Sequence, residues 1–225
     1  VSFMNIKEIL SRDKRICTGC SSCYNACPVQ AIQMERDKEG FLYPHIDGNI
    51  CTECGLCYQI CPHNYKPEPS SYKRVAYAMT IKDESVCMRS SSGGVFSLLA
   101  NTTLKEHGEV YGATLDDDLL VKHIMVDSVN ELYRLQGSKY MQSNLGKCYQ
   151  SVKKSLDKKK KVLFSGTPCQ IVGLKAFLKK DYDNLLTVDI ICHGVPSPLV
   201  WKQYINEKQI QEKIQITQVN FRDKK

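Results

Sequence analysis

Eight of the twelve cysteines in this chain fall into two copies of one phrase: Cys17-Thr-Gly-Cys20-Ser-Ser-Cys23-Tyr-Asn-Ala-Cys27-Pro28, and Cys51-Thr-Glu-Cys54-Gly-Leu-Cys57-Tyr-Gln-Ile-Cys61-Pro62. Each reads C-x2-C-x2-C-x3-C-P, the run in which three close thiolates hold one 4Fe-4S cube and the fourth reaches across to a second cube. Two residues between ligands let a tight loop wrap the metal. A fourth thiolate three residues later, on the first turn of a helix, points away from it. This logic assigns Cys17, Cys20, Cys23 and Cys61 to a first cluster, and Cys51, Cys54, Cys57 and Cys27 to a second. Pro28 and Pro62 fix the backbone where the chain leaves the metal, and Gly19 and Gly55 permit close approach.

Two other uses of cysteine compete with this reading. Zinc takes paired C-x2-C knuckles in a tetrahedral set, with no use for a third cysteine two residues on or for the trailing proline. A disulfide framework belongs to an oxidising compartment, yet no apolar signal stretch follows the first Lys and Arg residues. The chain is therefore expected to move electrons.

With 225 residues there is room for a small domain and a medium one. No apolar run approaches the ~20 residues of a membrane span. Clusters and further thiols fit a reducing, cytoplasmic setting. The formal charge of +7 counts every cysteine as neutral. Two oxidised cubes, each with a net charge of 2−, lower it to about +3. The richest basic stretch, Lys153 to Lys161, ends an amphipathic helical pattern and reads as a solvated face. No basic and aromatic nucleic-acid module is present.

The expected organisation is a two-cluster ferredoxin-like domain over 1–65, a linker over 66–73, and an α/β region divided into 74–143 and 144–225. Between the cysteine runs, Ala31–Met34 and Phe41–Ile46 flank a polar turn through Gly40 and predict a hairpin. This first domain is too small for a large core, so the clusters should staple it together. Arg74–Met79 reads as a strand, and a Ser-Gly loop, Ser90 to Gly94, opens a helix with apolar residues on one face. Strand patterns follow at Val110–Thr114 and Val121–Val126, then a short helix at Asn130–Leu135. From Ser143, Leu145, Cys148, Tyr149, Val152 and Leu156 step by helical offsets, which makes Cys148 an inert core thiol.

The remaining chain alternates. Val162–Phe164, Leu185–Ile191 and Ile216–Phe221 read as strands. Ile171–Lys180 and Leu199–Gln209 read as helices, the latter with Val200, Trp201, Tyr204 and Ile205 facing inward. The expected fold class is thus an α+β ferredoxin-like module followed by an α/β domain with a parallel βαβαβ portion. Ligands of such sheets bind beyond the carboxyl ends of the strands. The loops carrying Cys169 and Cys192 lie there. A final strand with no covering helix, and a first residue other than Met, suggest an incomplete chain.

Local sequence also offers a nucleotide site. Ser92, Gly93 and Gly94 precede a helix whose first N–H groups lack partners, which suits either pyrophosphate oxygens or an ordinary loop. Gly137, Ser138 and Lys139 add hydroxyl and cationic groups, or form a surface turn. Gly166, Thr167, Cys169 and Gln170 form a strand-to-helix turn without the G-x-G-x-x-G spacing. His193, beside Cys192, is positioned for proton donation or for a structural hydrogen bond. His45, His63, His107 and His123 show no partner constellation.

The double cysteine run, SSSGGVFSLLA (90–100), GSKYMQS (137–143), LFSGTPCQIVGLK (163–175) and DIICHGVPSP (189–198) together resemble the beta-subunit family of coenzyme F-420-reducing hydrogenase and dehydrogenase. The resemblance implies an iron-sulfur flavoprotein with two 4Fe-4S clusters and FAD held between the halves of the second domain. It further implies hydride exchange with coenzyme F-420 or another substrate, and a redox partner protein or soluble carrier. On it, Ser92, Gly93, Gly94, Ser138, Lys139, Gly166, Thr167 and Gln170 are candidate flavin contacts, and His193 and Cys169 candidate catalytic residues. A competing expectation is a ferredoxin-like relay or docking module without its own flavin. A third is an enzyme of polysaccharide biosynthesis whose clusters are only structural.

Overall fold

The computed structural model describes residues 5–8, 14–64 and 73–222. The expected linker over 66–73 lies almost wholly outside them.

The first region is organised by its cysteine loops. Helix α1 (Ser22–Ala26) follows the first loop and α2 (Leu56–Gln59) the second. The repeat is visible in the backbone itself. Gly19 and Glu53 share one left-handed position, and Ser21 and Gly55 share the next, with φ between 52° and 70°. Each loop thus needs two such residues, and each copy supplies glycine at only one of them.

Strands β1 (Ile32–Arg36) and β2 (Leu42–Ile46) form the expected antiparallel hairpin, Ile32 opposite Ile46 and Arg36 opposite Leu42. Asp37 closes its turn by accepting from the N–H groups of Glu39 and Phe41 at 3.0 and 2.9 Å. The core is small: Ile6, Cys23, Ile32 and Ile46, with Cys27, Cys51, Cys57 and Cys61 packed against it.

The second region opens with the short helix α3 (Glu84–Arg89) and the longer α4 (Val95–Lys105). It is built on a four-stranded sheet in the order β4-β3-β5-β6. Strands β3 (Glu109–Leu115) and β4 (Val121–Val126) form an antiparallel hairpin, while β3, β5 (Val162–Gly166) and β6 (Leu185–Asp189) run parallel. Alternation along the strands divides the core in two. Val110 and Leu163 face α4, joining Ala100, Leu104, Val126 and Leu132. Tyr111, Val162 and Phe164 face the other way, onto Tyr149, Val152 and Leu156 of α5 (Cys148–Asp157) and Ile171 and Leu174 of α6 (Pro168–Leu178). Cys148 is buried in this second layer, as its helical offset predicts.

Three expectations about the strands fail, each for a local reason. The sheet is mixed rather than strictly parallel βαβαβ, because the β3–β4 hairpin supplies its antiparallel edge. Ile216–Phe221 is not a strand. Lys213 turns the chain at φ 52°, Ile216 N–H donates to Gln209 Oε1 at 2.9 Å, and Phe221 packs on Trp201 and Tyr140 with centroids 5.0 and 5.7 Å away. Phe221 is thus met by aromatic neighbours rather than by a strand. Arg74–Met79 is not a strand either: Val75, Tyr77 and Met79 are all exposed, so its period-two pattern meets no layer. In α7 (Pro198–Glu212) Ile205 alone of the four expected inward residues is buried; Val200 and Tyr204 are exposed and Trp201 is half-buried. Among the described residues no helix is long and apolar enough to cross a membrane.

The two regions meet closely. Ser22 Oγ donates to Gly173 O at 2.8 Å, Asn25 Nδ2 to Gly146 O at 2.9 Å, and Gln150 Nε2 to Asn25 O at 2.7 Å. The hairpin is tied as well, by Leu42 N–H to Gln142 Oε1 at 2.7 Å and Leu199 N–H to Glu39 O at 3.2 Å. Gly173 makes the approach possible: a Cβ there would lie 2.6 Å from Ser22 Oγ and 3.3 Å from Cys20 Cβ.

Candidate iron-sulfur and cofactor site

Cys17, Cys20, Cys23 and Cys61 line one cavity of about 230 Å³, shared with Ile6, Ile16, Met34 and Pro44. This is the set that the crossed reading of the two runs assigns to the first cluster. Backbone N–H groups face the sulfurs: Gly19 at Cys17, Ser22 at Cys20, and His63 and Asn64 at Cys61. Such donors stabilise charge on thiolate and sulfide and thereby tune a cluster's potential.

Burial drives the metal-free thiols toward their protonated form. It pushes Cys17 up to about 11, against the opposing Gly19 N–H, and raises Cys23 further, with help from its neighbours Cys20 and Cys17. Four partly or fully buried thiols around one cavity repel one another as anions, and iron would supply the missing positive charge.

Of the second set, Cys27, Cys51 and Cys57 pack against the small core. Cys57 interacts electrostatically with Cys54 and Cys51, while Cys27 Sγ accepts from Ala31 N–H at 3.2 Å. Cys54 is exposed. Among the described residues no three His, Cys, Asp or Glu side chains converge on a single-ion site. A cube asks for a different arrangement, one thiolate for each of four irons around a void. The donor chemistry, the apolar lining and the inward N–H groups of the first cavity fit that demand.

The flavin candidates are not gathered into one pocket by the contacts they make. At the Ser92-Gly93-Gly94 turn, a Cβ on Gly93 would lie 2.4 Å from Met79 O, and one on Gly94 would lie 2.6 Å from Ile81 Cγ2. Ile81 N–H also donates to Gly93 O at 2.7 Å. The close approach that glycine allows here is taken by the chain's own segment 79–81. Lys139 Nζ donates to Gln136 O at 2.8 Å, closing the 3-10 turn Val129–Leu135, and burial lowers its pKa to about 8. Ser138 sits in the same loop.

Gly166 ends β5, and its carbonyl accepts from Ile190 N–H at 3.0 Å. Thr167 caps α6, and Gln170 Oε1 accepts from Thr167 N–H at 3.0 Å. These side chains therefore have helix-capping roles. The carboxyl ends of β5 and β6 lie side by side, Gly166 opposite Asp189, as the sequence reading requires of its ligand-binding edge. His193 stands on the exposed loop beyond β6, beside the exposed Cys192. Cys169 instead turns toward the first cluster cavity and forms part of its wall.

His123 has partners that sequence did not disclose. Its Nε2 lies 3.0 Å from Ser165 O and its Nδ1 2.6 Å from Ser143 Oγ, with the ring stacked on Phe164 at 5.4 Å. A carbonyl can only accept, so Nε2 carries the proton and Nδ1 accepts from the Ser143 hydroxyl. Burial lowers its pKa to about 4. Both partners lie 20 or more positions away, beyond any local motif.

Residues 16–65 match the family model described as a 4Fe-4S dicluster domain. Residues 159–225 match the model for the C terminus of the coenzyme F420 hydrogenase/dehydrogenase beta subunit. No curated protein matches. Among solved structures, a chain from the xenon-derivatised F420-reducing [NiFe] hydrogenase complex of Methanosarcina barkeri aligns at 18% identity with a TM-score of 0.41. That alignment covers 50% of this chain and 42% of the other. The chain thus joins a region similar to 4Fe-4S dicluster domains to one similar to the C-terminal part of F420 hydrogenase and dehydrogenase beta subunits, a family-level likeness to oxidoreductase modules.

Proposed function

We propose that this chain is an electron-relaying iron-sulfur oxidoreductase with two 4Fe-4S clusters, working with FAD to exchange a hydride with coenzyme F-420 or another substrate. The observation that carries the reading is the cavity walled by Cys17, Cys20, Cys23 and Cys61, four ligands drawn from both copies of the repeat. When bound, cubes pass one electron at a time and a flavin one or two, so the pair interconverts single-electron and hydride currencies.

The protein's own residues do the positioning. Backbone N–H groups aim at the sulfurs, Ile6, Ile16 and Met34 exclude water from the first cavity, and α6 seats that cavity against the sheet. The exposed Cys54 leaves the second site open to a partner protein or soluble carrier.

A second reading is a relay or docking module without its own flavin. It is favoured by the roles already filled at the candidate contacts: Gly93 packs on Met79, and Thr167 and Gln170 cap α6. Oxygen-free purification of the full chain separates the two. The flavoprotein reading expects about eight irons per chain, a yellow fluorescent supernatant on acid release, and uptake of about four electrons from dithionite. Full iron with about two electrons and no fluorescence would establish the relay. A preparation without iron would sink both.

A further inference from the structure

Cys169 is the residue whose position the two-cluster reading leaves unused. The first cavity has five cysteines in its wall, four from the ferredoxin-like repeats and the fifth from the first turn of α6. Cys17 and Cys20 both interact electrostatically with Cys169. The placement is enforced by packing: Ser22 Oγ is bonded to Gly173 O, one helical turn beyond Cys169, and the bare Gly173 lets the helix lie against Cys20. A cube takes four thiolates, so one of the five has another task.

The local bonding indicates which task. Thr167 Oγ1 lies 3.1 Å from Cys169 Sγ. With the Thr167 hydroxyl as donor, the thiol's own hydrogen is left for the cavity. We propose that Cys169 is a positioning residue for the first cluster: its Sγ, in the cavity wall with Cys17 and Cys20, would offer an S–H donor to a cluster held there and form the contact by which that cluster abuts the carboxyl edge of the sheet. A donor there stabilises the more negative, reduced cluster and so raises its potential. The same contact makes the first cluster, not the second, the one coupled to whatever occupies the loops after β5 and β6. This inference rests on the two-cluster reading above.

The test is an anaerobic redox titration of the full chain, followed by electron paramagnetic resonance, in the unmodified protein and in the Cys169→Ala and Cys169→Ser variants. Iron and sulfide are assayed alongside. We expect Cys169→Ala to keep its full iron and to lower the midpoint of one cluster signal while the other stays in place. Cys169→Ser, which retains a donor, should lie between the two. Unmoved midpoints with iron intact would overturn the inference, and so would loss of half the iron, which would make Cys169 a ligand. If the unmodified chain holds no cluster at all, the two-cluster reading itself has failed, an outcome distinguishable from either of these.

Discussion

At the scale of single residues, the buried imidazole of His123 gives the clearest prediction. Folding holds it neutral, with a pKa of about 4 against the ordinary 6.5. The unfolded chain therefore binds more protons between these values, and stability rises with pH across that window. Acidification from pH 6.5 toward 4 should progressively remove about 3 kcal/mol, the product of the shift and 1.36 kcal/mol per unit. His123→Gln should cost about 1–3 kcal/mol at neutral pH, because the Ser143 and Ser165 groups lose a well-placed partner. It should also flatten the acid limb. Denaturant midpoints measured for both proteins from pH 7 to 4 check this, and parallel curves would refute it.

Gly173 offers a second residue-scale test. A methyl group there would sit 2.6 Å from Ser22 Oγ, and Ser22 is fully buried. Gly173→Ala should destabilise by about 1–3 kcal/mol through overpacking. Ser22→Ala removes the obstructing oxygen, so the double variant should lose less than the two single variants added together. Strict additivity in a denaturation cycle would show that the contact is not where the strain falls.

Among the elements, the cysteine loops illustrate how a repeat distributes its backbone demands. Gly55 occupies the left-handed position at which the first loop tolerates Ser21, and Glu53 the one at which that loop has Gly19. A side chain in this conformation costs about 1–2 kcal/mol. Gly55→Ala should therefore lower the unfolding free energy, measured by denaturant titration, by about 1–2 kcal/mol, whereas Glu53→Gly should leave it unchanged or raise it. Equal losses in both variants would contradict the assignment.

The same elements show what local sequence can encode. The loop spacing of the cysteines, the β1–β2 hairpin and strands β3 to β6 are legible in ligand offsets, in a period of two or in a short apolar run, whereas the antiparallel pairing of β3 with β4 is not. The segments 74–79 and 216–221 also carry apolar and β-branched residues, yet neither becomes a strand. Pattern states what a segment could bury and says nothing of whether a neighbour is free to receive it. The candidate site divides along the same line. Which cysteines share a cavity follows from the repeat, whereas the arrival of Cys169 in that cavity depends on helix α6, more than a hundred residues later.

For the whole molecule, the contrast between the regions predicts the order of their loss. The ferredoxin-like part has a core cluster of four buried apolar side chains and, on the proposed reading, is stapled by its metal, whereas the sheet is covered by helices on both faces. Removal of iron by a chelator under reducing conditions should therefore raise amide exchange over residues 14–64 first and leave β3, β5 and α5 protected. Simultaneous loss of protection in both regions would mean that they unfold as one cooperative unit.

The bond between Ser22 and Gly173 spans 151 positions of chain. At translation rates of about 5–20 residues per second, roughly 8–30 s separate the emergence of its two ends from the ribosome. Cys17, Cys20 and Cys23 thus leave the tunnel long before the helix that completes their cavity exists. On the proposed reading, cluster delivery must either wait for the second half of the polypeptide or proceed on a nascent chain still open to oxygen, which makes the timing of biogenesis a property of this fold.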